Sequence, residues 1–103
     1  MKTLISILFA VVLASTAAAA PFPKADAAAG AKLYDDAKCN ACHARRFGGD
    51  GSTAYTRADR RVNSADGLIK QVRMCVTQLN VQWFADEEEN VAAYLNQRYY
   101  KFP

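Results

Sequence analysis

Histidine occurs once in this 103-residue chain, as His43, and tryptophan once, as Trp83. Only one of the two methionines, Met74, lies beyond the initiator. These scarcities narrow the chemistry. A single imidazole excludes any site within one chain that needs two. No apolar run reaches the roughly 20 residues of a membrane-spanning helix. Beyond residue 20 there is no internal repeat, long linker or low-complexity tract. The glycine cluster Gly48-Gly49-Asp50-Gly51 has no strand before it, so it does not read as a phosphate-cradling loop.

The first twenty residues read as an export signal. Lys2 is the charged start, Leu4 to Leu13 the apolar run, and Ser15 to Ala20 the small residues that favour cleavage. Cleavage is expected between Ala17 and Ala20 rather than directly before Pro21, with an uncleaved anchor as the alternative. Cutting after Ala20 leaves 12 basic against 10 acidic side chains, a formal charge of +2. Such a balance gives no argument for nucleic-acid binding. Residues 21–103 then form one small domain, of a size that often needs a covalent or metal staple.

The remaining pattern is all-helical. Pro21-Phe22-Pro23 is an extended lead-in. Asp26 caps a helix to about Asp36, with Ala27, Ala31 and Tyr34 on its apolar face. Gly30 inside that helix costs about 1 kcal/mol relative to alanine, so close approach of another helix is expected there. Arg45 to Arg61 reads as a basic, glycine-containing loop. Its arginines 45, 46, 57, 60 and 61 read singly as solvated loop residues, with one or two of them candidates for pairing with the carboxylates of a bound cofactor or with an acidic partner. A second helix starts at Ser64 or Asp66 and reaches Leu79, with Leu68, Val72, Cys75 and Leu79 on one stripe. Asn80 to Ala85 is a connector carrying Trp83, which is expected to cover the core or a bound group. Asp86 and Glu89 have capping-box spacing, and a last helix follows to about Tyr100 with Val91, Tyr94, Leu95 and Arg98 inward.

One stretch organises the rest: Cys39-Asn40-Ala41-Cys42-His43. Two thiols separated by two residues, with histidine directly after, form the attachment pattern of a c-type haem. The spacing lets both sulfurs reach the vinyl groups on one porphyrin edge, while the adjacent imidazole meets iron. A zinc set of Cys39, Cys42, His43 and Cys75 is the competing reading. A redox dithiol lacks the strand–helix context it needs.

A sixth ligand cannot be a second histidine. Met74 lies off its own helix's apolar stripe, near Gln71 and Gln78, and is the leading candidate. His/Met ligation raises the reduction potential and suits a one-electron carrier. Cys75 is the odd thiol; a core position, thiolate ligation and an intermolecular disulfide all remain open for it.

On these residues the chain resembles a class I c-type cytochrome. Gly30 and Tyr34, with Val91-Ala92-Ala93-Tyr94-Leu95, are similar to that family's crossed first and last helices. The resemblance implies Cys39 and Cys42 as haem-linking residues and His43 as proximal ligand. Arg73-Met74-Cys75 through Tyr94-Leu95 is also similar in spacing to cytochrome c double-prime and related oxygen-binding haem proteins. There, the residue before a cysteine is the distal ligand, and that cysteine pairs with another eight positions on. Here the ligand position holds Met74 and the second cysteine position holds Trp83, so the disulfide cannot carry over.

The resulting expectation is a periplasmic, monomeric, monohaem carrier of single electrons, not an enzyme. It holds one covalent haem c through Cys39, Cys42, His43 and Met74. Its partners are redox proteins and not nucleic acid, and after signal cleavage it is not an integral membrane protein. The alternative is a haem-based gas-binding or sensor protein with a labile or absent sixth ligand.

Overall fold

The structure, a computed structural model, describes residues 21–103. The expected leader, residues 1–20, lies outside them. Helices α1 (Ala27–Asp36), α2 (Cys39–Phe47), α3 (Thr53–Thr56), α4 (Ala65–Leu79) and α5 (Ala85–Leu95) are followed by a π-helical turn, Asn96–Tyr100. No strand occurs among the described residues, and no helix there is long and apolar enough to cross a membrane.

Helix α1 begins where expected. The Asp26 carboxylate accepts from Ala29 N at 3.1 Å, satisfying one orphan donor of the first turn. α1 packs mainly on α5, and Gly30 is the reason it can. A Cβ at Gly30 would overlap the Asn90 carbonyl and sit 2.8 Å from Val91 N. The two backbones therefore touch without a side chain between them. Asn90 adds a tie at the same crossing, its Oδ1 accepting from Asp26 N at 2.8 Å.

α4 is capped by Ser64, whose Oγ accepts from Gly67 N at 3.0 Å. It closes with Asn80 in the left-handed region (φ 53°) and Val81 N donating to Val76 O, a Schellman-type end. α4 and α5 are joined by Arg73 Nε on Glu88 Oε2 at 3.0 Å, with Glu88 buried. The core between the helices comprises Leu68, Val72 and Val76 of α4, Val91, Ala92 and Leu95 of α5, and Phe22, Tyr34, Tyr55, Val62 and Tyr100 from the flanks.

Three local readings need correction. Arg45, Arg46 and Phe47 are helical, because α2 continues past the histidine until Gly48 at φ +80° ends it. The capping carboxylate of α5 is Glu87, which accepts from Phe84 N at 3.0 Å, so the helix begins before Asp86. Arg98 is exposed, not inward. The π turn adds a residue to the last coil, and Asn96 and Tyr100 take the inward positions. Asn96 then holds the chain end with two bonds, Phe102 N to its Oδ1 (2.8 Å) and its Nδ2 to Phe102 O (3.2 Å).

Candidate functional site

Two residues separate α1 from α2, and Lys38 turns the chain in the left-handed region at φ 56°. This kink starts α2 at Cys39, so Cys39, Cys42 and His43 all fall on its first turns. Cys39 and Cys42 are three apart and His43 is four from Cys39, spacings that share one helix face. Gly51, at φ +86°, folds the following loop back over them. A Cβ there would come within 2.8 Å of His43 Cβ and Ala44 N.

The three residues line a cleft between α2 and α4. Its inner part is narrow, a cavity of about 40 Å³, and its outer part, open to solvent, holds about 260 Å³. Cys39, His43, Tyr55, Gln71 and Cys75 border both parts, so the cleft is continuous. Its depth is apolar, walled by Leu68, Val72, Val76, Val91 and Leu95. Trp83 reaches this inner part from the connector. Met74 and Gln78 border the outer part, together with Cys42, Arg46 and Arg61. All four expected site residues, Cys39, Cys42, His43 and Met74, therefore face one cleft.

The imidazole is held by rings. Phe47 stacks on it at 5.9 Å between centroids and Tyr55 packs at 5.1 Å. Its Nδ1 is buried with no hydrogen-bond partner. Burial, and then the Arg46 charge, push the His43 pKa below its ordinary value, which keeps the imidazole neutral and able to donate a lone pair. Burial pushes the Cys39 thiol up to about 11, with Cys75 the next contributor.

Met74 is 49 % exposed, well out of the core. Cys75 is half-buried on the same helix, and Gln71 Nε2 lies 3.6 Å from its sulfur. All three cysteines are free thiols. Among the described residues no three His, Cys, Asp or Glu side chains group to hold a metal ion, so the four-residue zinc set is not assembled.

Tyr55 is the residue that sequence reasoning missed, and it sits at the centre of a tyrosine cluster. Tyr34 and Tyr55 share a buried hydroxyl–hydroxyl bond of 2.9 Å beside His43. Tyr55 also packs against Tyr99 at 5.0 Å and Tyr100 at 5.8 Å, and Tyr34 against Tyr94 at 5.5 Å. Every tyrosine of the chain thus belongs to one cluster. Burial raises Tyr34 and Tyr100 to about 12 each and Tyr55 further. The one available signal was the large aromatic ring of Tyr55 in a polar, glycine-containing loop.

No protein-family model, curated protein or solved structure matches this chain.

Proposed function

We propose that the chain is a c-type haem protein of the cytochrome c kind, carrying single electrons between partner proteins after export to the periplasm. The observation that carries the reading is the cleft. Two thiols and a neutral imidazole from one helix turn border a cleft whose depth is apolar, and the only methionine of residues 21–103 borders the outer part of that cleft from α4. The donor set fits a haem on chemical grounds. Thiols can bond covalently to the ring edge, while imidazole nitrogen and thioether sulfur are suitable axial donors to iron. An unassembled zinc set and the apolar depth of the slot favour this over a hydrolytic or structural metal.

The haem, when bound, supplies reversible one-electron chemistry at iron. The rest of the reading concerns what the residues do. Cys39 and Cys42 fix the ring to α2. His43, held between Phe47 and Tyr55, presents its nitrogen in a set orientation. Leu68, Val72 and Val76 keep water from one side, which disfavours added charge and favours the reduced state. Met74 would offer its thioether sulfur to the iron from α4. No acid–base side chain other than His43 is assigned a role, in keeping with electron transfer rather than catalysis. The chain acts as a monomer, and its partners dock weakly near the exposed end of the cleft.

A second reading draws on the exposure of Met74. A half-exposed Met74 would be a labile ligand, and the protein would then bind small gases as a sensor. The test is a visible and near-infrared spectrum of the purified protein, oxidised and reduced, with and without carbon monoxide. A low-spin haem with a weak methionine–iron band and no carbon monoxide uptake supports the carrier. A carbon-monoxide-reactive ferrous form supports the sensor. Absence of haem bands from protein made in a haem-attaching host overturns both.

A further inference from the structure

On the haem reading Cys75 is the thiol left over, and the fold does not hide it. Leu68, Val72 and Val76 of α4 are core residues, yet Cys75 on the same stripe lies half-buried outside that core. It borders both the narrow inner part and the open outer part of the cleft, as Cys39 and His43 do from α2. It is not an isolated thiol, because Cys42 and Met74 border the outer part as well. A second observation concerns the sulfur itself. Gln71, four residues earlier and also on both parts of the cleft, donates from Nε2 to Cys75 Sγ at 3.6 Å. An amide donor stabilises a sulfur anion more than a neutral thiol. Met74 differs in its place: it is 49 % exposed and borders the outer part alone.

Two neighbouring residues of α4 thus bring chemically different sulfurs to one cleft, opposite a neutral imidazole. We propose that Cys75, as its thiolate, is the α4 ligand to iron in the oxidised protein, and that Met74 serves the reduced protein. This rests on the haem reading above and adds a ligand change tied to the electron. The extra positive charge of ferric iron favours an anionic donor, while the neutral thioether suits ferrous iron. On oxidation one electron leaves to the redox partner, Cys75 gives its thiol proton to solvent, and its sulfur supplies the electron pair of the new bond as Met74 withdraws. On reduction the electron returns, Cys75 takes a proton back from water, and Met74 replaces it.

The experiment compares haem-loaded full-length wild type with Cys75→Ser and Met74→Leu. It reads visible, near-infrared and electron paramagnetic resonance spectra of the oxidised form, and the midpoint potential. Oxidised wild type is expected to show a low-spin thiolate signature and no methionine–iron band. Cys75→Ser should lose that signature and move the one-electron equilibrium toward the reduced form by about 100-fold, roughly 120 mV at 59 mV per decade. Met74→Leu should keep the oxidised signature and make only the reduced form reactive with carbon monoxide. The wild-type spectrum decides the point even where a variant folds poorly, and Cys75→Ala repeats the test without a hydroxyl. A methionine–iron band in oxidised wild type, or a Cys75→Ser protein with the wild-type spectrum and potential, overturns the assignment and leaves the haem reading intact. A wild type without haem overturns both.

Discussion

Replacing Gly30 with alanine sets two effects of opposite sign against each other. Alanine inside a helix gains about 1 kcal/mol over glycine from propensity alone. Against this, the new methyl overlaps the Asn90 carbonyl and lies 2.8 Å from Val91 N, where ordinary contact begins at 3.4 Å. Clearing Val91 N alone requires about 0.6 Å of separation, and clearing the carbonyl more. The obstacles are backbone atoms of α5, which no side-chain rotation can remove. Parting two packed surfaces by 0.5–1 Å forfeits roughly a quarter to a half of each affected dispersion contact. Against backbone that cannot rotate away, overpacking sits at the upper end of its usual range, about 3 kcal/mol, so a net loss of about 2 kcal/mol is expected after the propensity gain. In a domain of this size that lowers Tm by roughly 8–16 °C. Thermal unfolding followed by circular dichroism measures it, with the exposed Ala28→Gly as a control that loses about 1 kcal/mol by propensity alone. A Gly30→Ala protein as stable as wild type, or more stable, would refute the backbone-to-backbone crossing of α1 and α5.

Arg73→Ala strands the buried Glu88 carboxylate. With Arg73 itself 57 % exposed, a loss of about 1 kcal/mol is expected, read as a lower urea midpoint. An unchanged midpoint would show the pair to be idle. Asn96→Ala removes both bonds to Phe102 and should cost about 2 kcal/mol, with faster proteolysis of the last residues than in wild type. Alkaline pH tests the tyrosine cluster. The folded phenols of Tyr34 and Tyr100 ionise near 12, against 10.0 for an ordinary phenol, so between those values the folded state binds more protons than the unfolded one. Stability is therefore full below pH 10 and falls as pH rises toward 12. A flat unfolding midpoint across that window, or phenolate absorbance of all five tyrosines appearing near pH 10, would show the cluster to be open to water.

Much of this was legible because it is local. The Asp26 and Ser64 caps and the stripe through Leu68 and Val72 follow from side chains within a few positions of one another. The packing reason for Gly30 was legible too, since a glycine in a helix interior asks for one. What escaped depends on distant parts of the chain. Arg45–Phe47 look like loop by composition, yet propagation from the α2 turn keeps them helical until Gly48. Tyr55 is buried only because α1 supplies a hydroxyl and the π turn supplies two rings. Of the site, Cys39, Cys42 and His43 declare themselves by spacing, and Met74 by being the only methionine left. That Leu79 is 37 % exposed despite its place on the stripe reflects its position on the cleft, both parts of which it borders.

The π turn makes the end of the chain sensitive to length rather than to identity. One extra residue in a coil rotates everything after it by about 100°, the angle of a single helical step. Because of that rotation Tyr100 faces Tyr55 while Arg98 faces water. Deleting one residue between Asn96 and Tyr100 would change no side chain's chemistry, yet it would carry the aromatic end past its seat. The last segment is thus a phase setting, and the ring beside His43 stands or slips with it.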